Sequence, residues 1–130
     1  MLRVFLFSFL LLLLASSCGD DTPSCTTETI VGTYTGSTTC DDPSIEDGPI
    51  TYTVTSLGGD NYKFTDQDGD DTNLQITGCN ITIPEVEIDF FGINIKTSGS
   101  GTIDGDNLNM SIVTNADGTI ITCLVSTVKQ

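Results

Sequence analysis

From residue 29 onward, apolar and polar side chains alternate with a period of two, the pattern of strands that cover one face and wet the other. Residues 29–38 predict a first strand, with Gly32, Tyr34 and Gly36 on one face and Val31, Thr33 and Thr35 on the other. In residues 49–57 the alternation is cleaner, Ile50, Tyr52 and Val54 against Thr51, Thr53 and Thr55. Tyr62 and Phe64 mark a third strand after the Gly58-Gly59-Asp60 turn, and Leu74 and Ile76 a short fourth. A fifth places Ile81, Ile83, Val86, Ile88 and Phe90 inside, interrupted at Pro84, where the missing ladder donor predicts a bulge or an edge. Ile93, Ile95, Gly99, Gly101 and Ile103 share a face of the sixth; Leu108, Met110 and Ile112 one of the seventh; residues 120–128 form an eighth that is apolar on both faces. No segment reads as a helix.

Eight strands joined by short connections are antiparallel neighbours in sequence order, and pairing the last with the first removes both exposed edges. The expected fold is therefore all-β, an eight-stranded antiparallel up-and-down barrel, with a two-sheet β-sandwich as the alternative that strand patterns also allow.

The N-terminus belongs to a different class of signal. Arg3 precedes an apolar run, residues 4–14, of the length of an export signal and too short for a bilayer core of about 30 Å. Ala15, Ser16 and Ser17 are small, and Cys18 follows at once. This arrangement resembles a bacterial lipobox, with Ala15 where leucine is commoner; the resemblance implies a signal peptide over residues 1–17, diacylglycerol on the Cys18 thiol, and Cys18 as the acylated first residue of the mature chain. Cleavage by an ordinary signal peptidase is the alternative. Residues 18–28 then form an acylated, acidic linker and 29–130 the barrel domain. Two or three acyl chains, at about 0.8 kcal/mol per buried methylene, anchor a protein stably. Gly19-Asp20-Asp21 resembles the export tag of Bacteroidetes-type lipoproteins, which implies an outer-membrane anchor facing the cell surface; a periplasm-facing anchor is the rival.

With Cys18 set aside, four cysteines remain in a chain bound for an oxidising compartment, which favours two disulfides. A metal site is disfavoured because the spacings contain no CxxC pair and the chain has no histidine. Four cysteines allow three connectivities. In a closed meander, Cys25 and Cys79 fall at one end and Cys40 and Cys123 at the other, so the expected bridges are Cys25 to Cys79 and Cys40 to Cys123.

The stretch VGTYTG, residues 31–36, resembles the opening strand of small lipocalin-like domains, whose start carries a Gly-x-aromatic element. The resemblance extends over most of the mature chain in strand count and hairpin order, with Tyr34 where those relatives carry tryptophan. It implies that Gly32 and Tyr34 are structural, packing across the closed base, and that the interior suits a small apolar ligand.

Charge narrows the function. Removal of the signal leaves three basic against 18 acidic side chains, a net charge of −15 that favours solubility and repels nucleic acid. Catalysis has little to stand on: there is no histidine, the cysteines are committed and no serine sits in a Gly-x-Ser-x-Gly elbow. Glu85, Glu87 and Asp89 share a strand face, as a solvated outer face does. Asp66, Asp68 and Asp70 place oxygens at alternating positions, a weak calcium candidate, but Asp71 and Thr77 stand where an EF-hand needs glycine and a bidentate glutamate. No cofactor is implied. Two classes remain. One is a non-enzymatic interaction module, anchored in the bilayer through Cys18, whose acidic loops meet an extracellular protein or glycan. The other is a carrier of a small apolar ligand in the lumen, with Tyr52, Phe64, Ile83, Ile95 and Met110 as candidate contacts. Those side chains, with Tyr34, are also large enough to fill the lumen outright.

Overall fold

The computed structural model describes residues 24–130; the expected export signal over residues 1–17, Cys18 and the first part of the expected linker lie outside them. A one-turn helix α1 (Thr27–Ile30) precedes eight strands: β1 (Gly32–Cys40), β2 (Gly48–Gly58), β3 (Asn61–Asp66), β4 (Asp71–Thr77), β5 (Asn80–Phe90), β6 (Ile93–Asp104), β7 (Asn107–Ala116) and β8 (Thr119–Lys129). Each strand pairs antiparallel with the next, and β8 returns to β1 to close the barrel. The closure excludes the sandwich alternative.

The strand expected from residue 29 begins later, at Gly32. Thr26 and Thr29 form a reciprocal capping box, the Thr29 hydroxyl accepting from the Thr26 amide at 2.8 Å, and this turns the chain into α1 before the sheet begins. The helix lies across one end of the barrel. Ile30 is buried there, the Tyr34 hydroxyl donates to the Ile30 carbonyl at 2.8 Å, and Tyr62 and Thr27 share a hydroxyl contact at 3.2 Å. From β8, the Lys129 ammonium donates to the Thr29 carbonyl at 2.8 Å, satisfying an orphan acceptor at the helix end. This end is the closed base.

Inward residues of the base half form one cluster that includes Tyr34, Val54, Phe64, Leu74, Ile83 and Met110. Thr127, buried among them, donates its hydroxyl to the Leu108 carbonyl at 3.1 Å. Close approach of strands demands glycine at two places. A Cβ on Gly36 would stand 1.9 Å from the Ser126 carbonyl oxygen, and one on Gly101 2.2 Å from that of Asn109. Backbone, not a movable side chain, occupies that space, so these glycines set how tightly β1 coils onto β8 and β6 onto β7.

Disulfides join Cys25 to Cys79 and Cys40 to Cys123, the pairing expected of the meander. The first ties the segment before α1 to the β4–β5 turn at the base; the second ties the outgoing end of β1 to β8 at the opposite rim. The final strand, apolar on both faces, buries only its inward side: Ile120, Leu124 and Val128 point outward and stay exposed.

Candidate functional site

Four connections meet at the rim opposite α1, and their composition differs sharply from the base. Asp41, Asp42, Glu46 and Asp47 lie in the first, Asp66, Asp68, Asp70 and Asp71 in or beside the second, and Asp117 in the fourth. The third is the β5–β6 hairpin, whose outer face carries Glu85, Glu87 and Asp89. Lys63 and Lys96 are the basic residues nearest this end, and both already face carboxylates, Lys63 with Asp71 at 3.2 Å and Lys96 with Glu87 at 3.6 Å.

Most of these acids serve the loops that hold them. Asp66 turns its Oδ1 back to accept from the Asp68 and Asp70 amides, each at 2.9 Å, which ties that oxygen to the turn. Among the described residues, no group of three His, Cys, Asp or Glu side chains is arranged to hold a metal ion. Asp42 accepts from the Ser44 hydroxyl and amide, which hold its pKa below the usual carboxylate value. A hydrogen bond from Thr65, with Lys63 beside it, lowers that of Asp71. Glu87 is likewise held low, first by the Asn94 side-chain amide and then by Lys96.

The lumen candidates divide by height. Phe64, Ile83 and Met110 belong to the buried base cluster, so they fill the barrel. Tyr52 and Ile95 stand higher and are half-buried at the opening. Tyr52 packs on Phe64 with ring centroids 5.6 Å apart, and burial together with the Asp66 charge raises its pKa. Two hollows of about 420 Å³ lie away from the lumen, one between α1 and the β6–β7 turn, the other over Thr39, Thr122 and Leu124 on the outer wall.

What the strand pattern alone missed is the uneven height of the wall. β4 pairs with β5 over three residues, ending at Gln75 opposite Thr82, whereas β5 runs on to Phe90 in register with β6. The expected bulge falls between Ile83 and Val86, at Pro84 and Glu85, and the hairpin bends there. Beyond it Val86, Ile88 and Phe90 keep the inward orientation of Ile83, opposite Thr97, Ile95 and Ile93 on β6, yet they are 51, 57 and 57 % exposed. At the tip, Phe91 and Gly92 make a two-residue turn with φ of 52° and 83°, the geometry of a type I′ hairpin that favours Asn-Gly. Phe91 holds this conformation 92 % exposed, edge-on to Phe90 at 4.6 Å. A bulky side chain in the left-handed region costs roughly 1–2 kcal/mol. Asp117 and Gly118 make the same kind of turn at the β7–β8 hairpin, there with a residue suited to positive φ.

The site is thus an apolar overhang inside an acidic rim. Comparisons with protein-family models, with curated proteins and with solved structures return no match, so the geometry and sequence of this chain alone carry its functional reading.

Proposed function

We propose that this protein is a lipid-anchored surface protein whose barrel acts as a non-enzymatic interaction module. The observation that carries the reading is the division of the barrel: side chains fill its base half, while the apolar residues of the β5–β6 overhang are left in water. An exposed apolar patch rimmed by polar residues is the usual form of an interaction surface. A lumen plugged by Phe64, Ile83 and Met110 leaves a carrier little depth to enclose a ligand. The anchor is Cys18, and the lipobox-like sequence before it supports acylation. Two disulfides suit an oxidising exterior.

The test is intact mass of the membrane-extracted protein before and after reduction, followed by protease or antibody accessibility on whole cells. A chain starting at Cys18 with added acyl mass, reached by antibody on intact cells, is the expected result. An unacylated chain removes the anchor. An acylated chain reached only after the outer membrane is breached makes it periplasm-facing.

A further inference from the structure

We infer that the free edge of β5 is a docking edge for an extended segment of a protein partner in which apolar residues alternate with basic ones. This rests on the reading of the barrel as an interaction module and names the site and partner class of that module.

Past Thr82 the edge of β5 that faces β4 pairs with no strand among the described residues, and beyond about Val86 it outruns the end of β4 at Asp71, while the other edge stays paired to β6 through Phe90. From Val86 to Phe90, about 16 Å of strand is bare on that side. Such an edge is a template for another chain, and sheet proteins commonly blunt it with proline, a bulge or charge. Here proline and the bulge at Pro84 and Glu85 protect the beginning, and the charges of Glu87 and Asp89 bar from the rest any strand that brings acid to that face. From Val86 to Phe90 the strand is regular and offers two faces, apolar at Val86, Ile88 and Phe90, acidic at Glu87 and Asp89.

The pleat then dictates the occupant. A strand laid on the free edge places successive side chains alternately on these two faces. Those on the first continue an apolar surface; those on the second meet carboxylates and need positive charge. The occupied edge already shows the solution, because β6 sets Ile95 against Ile88 and Lys96 against Glu87. A second copy of this chain fits badly, since pairing β5 with itself would bring Glu87 and Asp89 against the same carboxylates. Nor do residues 18–23 match, having two aspartates and no basic residue. Anionic lipid and nucleic acid are repelled by the same charge. Position also suits a partner: Cys18 lies seven residues before Cys25 at the base, a reach of at most about 25 Å, so the anchored end is the base and the overhang is the end opposite it.

The experiment uses the full mature protein and a fluorescent ten-residue peptide of alternating Lys and Val, with an alternating Glu and Val peptide as control. Expected are saturable binding of the first peptide alone, slowing of amide exchange at least tenfold within residues 86–90, and at least tenfold weaker binding in the Glu87→Lys, Asp89→Lys double variant. That variant should gain affinity for the Glu and Val peptide, a result that loss of folding cannot mimic. Equal binding of both peptides, binding untouched by charge reversal, or concentration-dependent self-association blocked by the reversal would each overturn the docking edge. Peptide protection confined to the β3–β4 loop would sink the edge while sparing the module. Stoichiometric uptake of a fluorescent fatty acid, unaffected by the reversal and without peptide binding, would sink the module itself.

Discussion

At the base, the inward residues Tyr34, Phe64 and Leu108 are sealed beneath α1; at the rim, the inward residues Val86, Ile88 and Phe90 stand half in water. Both groups lie on one continuous sheet and obey one alternation. What separates them is what stands opposite. The base has a facing wall and a helical lid within packing distance, whereas the overhang has outrun β4 and faces solvent. The contrast teaches that burial in a barrel is a property of the cross-section, and that stability can be concentrated at one end so that the other carries residues folding does not require.

The strongest way to break the contrast is at Gly36. Gly36→Ala drives a methyl into the Ser126 carbonyl, and the variant is expected not to close β1 on β8 at all, read as loss of cooperative thermal unfolding. Next in size, Phe64→Ala empties the base core and should lower stability by about 4 kcal/mol, whereas Ile88→Ala on the overhang should change it by less than about 0.5 kcal/mol in the same denaturant titration. Equal losses would mean that the overhang is part of the core. A third change sharpens the contrast by its sign: Phe91→Asn puts a residue suited to positive φ into the tight turn and should raise stability by about 1 kcal/mol while weakening partner binding. Smallest is a pH effect. Burial, with the Asp106 and Asp66 charges respectively, raises the pKa values of Tyr34 and Tyr52 above 10.0. The folded state therefore holds their protons longer than the unfolded chain does. Their contribution is complete below 10.0 and is lost as pH rises beyond it through the raised values. Thermal unfolding across that range should fall with pH, and less steeply in Tyr34→Phe.

Much of the fold was legible in the sequence because each hairpin is local: turn dipeptides mark the strand ends, and a meander fixes which ends meet, which is why the bridges from Cys25 and Cys40 followed from strand order. Pro84 announced its bulge by lacking a donor. The helix α1 escaped because four residues carry no period, and its capping box uses Thr29 where glutamate or glutamine is the recognisable sign. Exposure of Val86, Ile88 and Phe90 was not legible either. Their alternation is that of Ile81 and Ile83, and no sequence pattern records that β4 stops pairing at Gln75. Of the five lumen residues singled out, Phe64, Ile83 and Met110 went to the core because they sit low on their strands, a height set by register.

The bridge between Cys40 and Cys123 has one more consequence, for how the chain withstands a proteolytic cut. The Phe91–Gly92 bond is the most accessible point of the overhang, and a single cut there would divide the described chain into residues 24–91 and 92–130. Because Cys40 lies in the first piece and Cys123 in the second, the halves stay one covalent molecule. Clipping alone therefore cannot separate the two pieces; scission and reduction must both occur before residues 92–130 can leave residues 24–91.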